Sequence, residues 1–200
     1  GVFTVGKDLN AAKIAGDLTE TNAKVIASVE ETSKYKFIPE KDLFDVEYWS
    51  LEQAKIKRKK KLLEGNVVVV SGATGTIGFA TYKMFKNYGA EVVLLDNNLQ
   101  RLDELKAKIS DLCIHCDVTS KKSIKNAFKQ ICEKFGGIDI LISNAGTAPS
   151  GAIGEVSDDH LRKSFEINFF AHQNCASEAV KIMKQQNIDG CLLFNISKQA

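Results

Sequence analysis

Four consecutive valines, Val67 to Val70, run directly into Ser71-Gly72-Ala73-Thr74-Gly75-Thr76-Ile77-Gly78. An unbroken apolar run suits a strand buried on both faces, and such strands belong to parallel sheets. Glycines at 72, 75 and 78 then favour a tight turn, and the residues after them carry helical spacing. A buried strand, a glycine-rich turn and a helix start together make the first unit of an α/β chain. The alternation continues downstream. Strands are predicted at 67–71, 91–96, 112–116, 138–143 and 191–197, and helices at 77–88, 99–110, 121–135 and, as one long element, 158–186. Gly89, Gly136-Gly137 and Gly190 fall where helix C-caps belong. With right-handed crossovers this pattern gives a doubly wound parallel sheet of the Rossmann type.

Residues 1–64 stand outside the alternation. Residues 2–6 are predicted as a short strand and 9–29 as a helix with Ile14, Leu18, Val25, Ile26 and Val29 on one face. A second helical region at 41–61 carries Phe44, Tyr48, Trp49 and Leu51. About sixty residues bury little core alone, so this segment reads as the tail of a larger domain. The division is therefore 1–64 and 65–200.

Charge and composition remove several classes. The chain is 44% hydrophobic and 26% charged, a globular balance, and 27 basic against 25 acidic residues give no case for nucleic acid. The run Lys55-Ile56-Lys57-Arg58-Lys59-Lys60-Lys61 reads as a solvated helix end and linker rather than a docking or localisation signal. No apolar stretch approaches the ~20 residues of a membrane span, and no signal peptide opens the chain. Five scattered cysteines suggest reduced thiols and a cytoplasmic setting. Cys113 and Cys116 flank His115, but zinc needs four ligands and no second pair exists, so both read as small buried groups and no metal is expected.

The glycine turn is the candidate binding site. One glycine permits the turn, one lets backbone N–H groups approach a pyrophosphate, and one lets helix and strand pack. Thr74, Gly75, Thr76, Ile77 and Gly78 then surround a helix N-terminus that favours phosphate, although an ordinary tight turn would have the same sequence. Asp96, at the end of the second strand, can accept ribose hydroxyls and repel a 2′-phosphate, or simply cap the helix near Leu99. No positive charge follows at Asn97 or Asn98, which favours NAD over NADP. Asp117 and Val118 can flank an adenine, and Asp117 can equally cap a turn. Asn144-Ala145-Gly146 follows the fourth strand, where strand order should reverse and a ligand crevice opens.

From about residue 65 onward the chain resembles the short-chain dehydrogenase/reductases. The glycine turn, Asp96, Asp117-Val118, Asn144-Ala145-Gly146, Asn168 and Asn195-Ile196-Ser197 occur in that family's order. The resemblance implies that Ser197 polarises the reacting oxygen, that Asn168 holds a helix open beside a proton-relay water, and that 144–146 line the cofactor cleft. Three departures stand out. The spacing Gly72-x-x-Gly75-x-x-Gly78 is similar to the extended branch of the family, and Ser143 stands where an asparagine is usual. The family's Tyr-x-x-x-Lys pair should follow Ser197, whereas the sequence stops at Ala200. The chain is thus expected to be an internal fragment that binds cofactor poorly at best and does not turn over.

Gly1-Val2-Phe3-Thr4-Val5-Gly6-Lys7 and Asp42-Leu43-Phe44-Asp45-Val46-Glu47-Tyr48-Trp49-Ser50-Leu51-Glu52-Gln53-Ala54-Lys55 resemble the end of a class II aldolase-type domain and its linker. Phe194 to Ala200 is similar to the bifunctional aldolase/short-chain dehydrogenases, of the rhamnulose-1-phosphate aldolase and alcohol or lactaldehyde dehydrogenase type. That likeness implies a cytoplasmic NAD-dependent oxidoreductase acting on a small alcohol or aldehyde. Lactaldehyde from rhamnose breakdown is the expected substrate, and a homo-oligomer formed through the dehydrogenase domain the expected assembly. An extended-branch sugar-nucleotide epimerase or dehydratase, a non-catalytic dinucleotide-binding module, and aldol cleavage as the principal activity remain as alternatives.

Overall fold

The computed structural model describes residues 2–7, 9–47, 61–148, 151–152 and 154–196, which fall into two compact units, 1–62 and 63–200. The first holds α1 (Leu9–Glu30) and α2 (Glu40–Glu47). No residue of α1 is buried, and Leu18 is 60% exposed. The strand expected at 2–6 does not form. Strand backbone groups need a neighbouring ladder, and none of the described residues supplies one. Thr4 Oγ1 instead donates to the Ala12 carbonyl at 2.9 Å, tying the segment to α1. Of the helix expected at 41–61, residues 48–60 lie outside the described residues, as does the basic run apart from Lys61.

The second unit alternates strand and helix: β1 (Val67–Ser71), α3 (Thr76–Asn87), β2 (Glu91–Asp96), α4 (Leu99–Lys106), β3 (Leu112–His115), α5 (Lys121–Phe135) and β4 (Ile140–Ser143). Then come α6 (Asp158–Phe165), a π-helical turn (Glu166–Phe170), α7 (Ala171–Gln186) and β5 (Cys191–Phe194). All five strands are parallel, in the order β3-β2-β1-β4-β5. β1 is central, and every one of its residues is buried. Val68 and Val70 join Tyr82, Leu94, Leu102 and Ile142 in one core cluster. Val67 and Val69 alternate to the opposite face. This is the doubly wound Rossmann-like fold that the valine run implies, and chain order reverses between β1 and β4.

Boundaries shift where side chains compete with the ladder. Ile138 drops out of β4 because Gln186 clasps it, its Oε1 accepting from Ile138 N–H (2.8 Å) and its Nε2 donating to Ile138 C=O (3.1 Å), while the Asp139 N–H still donates to the Val67 carbonyl at 3.0 Å. Beyond β5, the Asn195 N–H still donates to the Ser143 carbonyl at 2.9 Å. The long helix expected at 158–186 is three elements, because the π turn at 166–170 interrupts it.

Candidate dinucleotide site

The three glycines separate by what a Cβ would meet. At Gly78 it would lie 2.2 Å from the Gly72 carbonyl oxygen, so only glycine lets α3 close onto the turn. Gly72 has φ +63°, and a Cβ there would lie 2.8 Å from Ala145 Cα. Gly75 differs: its φ is −74°, and the nearest atom to its Cβ position is 3.4 Å away. Neither backbone conformation nor internal packing demands glycine at that position. What remains is the open side of the turn, where a ligand's backbone approach needs room.

The helix start supports this. Asn98, Ser120 and Ser157 cap α4, α5 and α6, each accepting a backbone N–H through its side chain. Gly75, the N-cap of α3, offers no side-chain cap. The first-turn N–H groups of a helix have no intrahelical acceptor, so those of Thr76, Ile77 and Gly78 form an anion-binding end with the helix dipole behind them. Ile77 is 61% exposed at the rim. These residues fit a dinucleotide pyrophosphate.

Asp96 ends β2 beside this turn and is 9% exposed. Its Oδ2 accepts from Thr74 N–H (2.9 Å) and from Thr74 Oγ1 (2.8 Å), and its Oδ1 accepts from Asn98 N–H (3.0 Å). The capping alternative for Asp96 is corrected by geometry. The α4 cap is Asn98, whose Oδ1 accepts from Arg101 N–H at 3.0 Å. Asp117 turns its Oδ1 to the N–H and hydroxyl of Thr119, at 2.9 and 2.7 Å, so its carboxylate builds the turn before α5, with Val118 half-buried inside it.

Across the switch point, Asn144 does not face outward. Its Nδ2 donates to the carbonyls of Ser71 (3.0 Å) and Gly72 (3.2 Å), and its Oδ1 accepts from Asn195 Nδ2 at 2.7 Å. Asn144 therefore fastens the ends of β1, β4 and β5 together, with Ala145 half-buried and Gly146 exposed beyond it. Ser71 completes the clamp, its Oγ accepting from the N–H groups of Asn144 and Ala145 at 2.9 and 3.1 Å. Asn168 lies in the π turn. Its amide pairs with Thr147 in both directions, accepting from N–H at 2.9 Å and donating to C=O at 2.8 Å, and also donates to Ser164 Oγ at 3.1 Å. Ser197 lies outside the described residues.

Sequence reasoning missed two partners. Ser143 Oγ and His172 Nδ1 are 2.7 Å apart and buried, and desolvation pushes the His172 pKa below its ordinary value. The clue was a histidine at the start of the apolar α7 face Ala171, Cys175, Ala179. Ser71 was the other. Burial pushes the Cys116 and Cys175 thiols up, to about 11 and about 12, which keeps them protonated. Among the described residues no cluster of three His, Cys, Asp or Glu side chains could hold a metal.

This fold and this switch-point architecture define a class, and sequence comparison gives its family. The short chain dehydrogenase family matches residues 66–200, and the chain belongs to it. A second family, the second domain of class II aldolases, matches residues 1–56. The chain is 28% identical over 209 residues to the uncharacterized oxidoreductase YuxG of Bacillus subtilis, covering all of this chain and 30% of that protein. It is 34% identical over 148 residues to the short chain aldehyde dehydrogenase 1 of Euphorbia lathyris, covering 70% of this chain and 50% of that one. A short chain dehydrogenase from Mycobacterium smegmatis superposes with a TM-score of 0.64 at 27% identity, over 68% of this chain and 60% of that one. The chain thus spans half or less of the two curated relatives.

Proposed function

We propose that this chain carries the cofactor-binding half of an NAD-dependent oxidoreductase that moves hydride between NAD and a small alcohol or aldehyde. The observation that carries the reading is the uncapped α3 N-terminus at Gly75 with the Asp96 carboxylate beside it. Backbone N–H groups of Thr76, Ile77 and Gly78 hold the pyrophosphate, and Asp96 receives the adenosine ribose. A nicotinamide, when bound, supplies the hydride acceptor. Asn168 and Asn144 hold the crevice floor, and Ser197 polarises the reacting oxygen.

Residues 1–64 belong, in this reading, to a class II aldolase-type domain fused ahead of the dehydrogenase at 65–200. The aldolase match at 1–56 supports that arrangement. Its product would be lactaldehyde, which the dehydrogenase oxidises as the hydrate, in a cytoplasmic homo-oligomer joined through the dehydrogenase domain. The aldehyde named for the Euphorbia relative suits this substrate class. Titration of NAD and NADP against the chain and its Asp96→Ala variant tests the cofactor assignment. Wild type should prefer NAD. The variant should lose about 1–3 kcal/mol of that preference, the scale of a charge-assisted hydrogen bond. An unchanged preference refutes the assignment.

A further inference from the structure

The loop from Ser143 to Thr147 is held at both ends by one helical run. At its far end Asn168, in the π turn, pairs with Thr147 in both directions. At its near end His172, at the start of α7, meets Ser143. Nδ1 and Oγ are 2.7 Å apart, and the two residues are 8% and 2% exposed. The Ser143 carbonyl is gripped as well, by the Asn195 N–H at 2.9 Å. Between these ends the loop comes against the glycine turn, where a Cβ on Gly72 would lie 2.8 Å from Ala145 Cα. Moving either end therefore moves the loop against Gly72.

Histidine makes the near grip conditional. A neutral imidazole can accept the Ser143 proton or donate its own; an imidazolium only donates, and carries a charge. Nothing packed around the ring offsets that charge. β4 has no titratable side chain, and β5 has only the Cys191 thiol at its start. The Phe194 ring lies edge-on to His172, 6.1 Å away. On α7, Lys181 and Lys184 line the same cavity and add only like charge, while Glu178 pairs with Lys181 at 2.9 Å. Burial raises the pKa of the Cys132 and Cys175 thiols, which keeps both neutral. The charged residues of α5 (Lys121, Lys122, Lys125, Lys129, Glu133 and Lys134) are exposed, as is Glu166 in the π turn. Desolvation alone therefore lowers the His172 pKa. The grip is complete with a neutral ring, above about pH 6.5, and weakens as pH falls through the lower folded value.

We infer that His172 is a positioning residue for the cofactor crevice: through Ser143 its neutral ring fixes the start of the 143–147 loop, as Asn168 fixes the end. The inference rests on the NAD reading above, since it is NAD that needs the loop in place. Protons at His172 and NAD in the crevice then oppose each other, and the coupling is reciprocal.

The test is an NMR titration of the 200-residue chain with pH and with NAD. As pH falls from about 7.5 to about 5, the amide resonances of Ala145, Gly146 and Thr147 should shift with the midpoint of the His172 imidazole, not with those of the exposed His115 and His160. NAD should bind at least about 5-fold more weakly across that titration. Ser143→Ala should leave His172 titrating while the loop no longer follows it. His172→Asn, which takes up no proton, should give a flat NAD profile. Loop resonances that ignore His172 overturn the inference, as does NAD affinity that stays constant while His172 titrates. So does a Ser143→Ala chain whose loop still follows the ring. A loop that follows His172 in a chain binding no NAD at any pH refutes the NAD reading instead and upholds the loop assignment.

Discussion

Alanine at Gly75 and alanine at Gly78 should fail in opposite ways. At Gly78 the new Cβ would lie 2.2 Å from the Gly72 oxygen, 2.8 Å from Ala73 Cα and 2.9 Å from the Gly72 carbonyl carbon. All three are backbone atoms, so relief requires moving α3 off the turn. Overpacking of this kind costs about 1–3 kcal/mol or more, and helix propensity returns at most about 1 kcal/mol. Three backbone contacts this close put the cost at the upper end of that range, so the net loss is about 2 kcal/mol, which at roughly 2–4 °C per kcal/mol lowers the melting temperature by about 4–8 °C. At Gly75 the nearest atom is 3.4 Å away, an ordinary contact. A poorer N-cap costs under about 1 kcal/mol, and the stiffer unfolded chain returns about 0.4–1 kcal/mol. Stability should therefore stay within about 0.5 kcal/mol of wild type, the two terms cancelling. Binding should not survive, because the methyl occupies the side of the turn left open for the pyrophosphate. Thermal unfolding and NAD titration on the two variants give four readings. A Gly75→Ala chain with wild-type NAD affinity refutes the assignment of that open side, and an undiminished melting temperature for Gly78→Ala refutes the packing argument.

His172, held neutral by burial against Ser143, has a folded pKa below the ordinary 6.5, so the unfolded chain binds the extra proton first. Its contribution to stability is complete above about pH 6.5 and is lost as pH falls from there through the folded value. Denaturant melts should show His172→Asn losing less stability than wild type on acidification across that window; parallel curves would contradict the burial account. Asn168→Ala removes both bonds to Thr147 and should speed amide exchange at Thr147 about tenfold or more while global stability falls by under about 2 kcal/mol. Unchanged exchange there would mean that the pairing does not hold the loop.

The sheet was legible in the sequence because its central strands β1 and β2 are buried almost throughout, and a run such as Val67 to Val70 has few other uses. Helix α5 was legible end to end. Ser120 caps it, Gly136 closes it at φ +83°, and Ile124, Ala127, Phe128, Ile131 and Phe135 mark its buried face. The site was legible in composition but not in wiring. Asp96 and Asn98 are both good capping residues two positions apart, and only the loop geometry decides that Asn98 caps while Asp96 turns back to Thr74. Asn144 illustrates the same limit. Its residue type suits a turn, yet three strand ends converge on its amide, an arrangement set by topology. The segment at 2–6 misled because Val2, Phe3, Thr4 and Val5 are strand-favouring residues, and residue type says nothing about whether a neighbour exists to pair with them.

The π turn at Glu166–Phe170 places a constraint on counting rather than on chemistry. Such a turn holds one residue more than the α-helical path around it needs. Removing any one residue there would let the helix run on in α geometry, rotating everything after it by about 100° and drawing it back by about 1.5 Å. Ala171, Cys175, Ala179 and Met183, which now share the buried face, would swing out of the core together, and His172 would leave Ser143. Substitutions at the outward positions, such as Phe169 at 60% exposed, carry no such penalty. This stretch should therefore tolerate substitution at its outward positions yet hold its length, and a deletion scan across 166–170 should find every single-residue loss damaging, with loss of Asn168 costing its bonds to Thr147 as well.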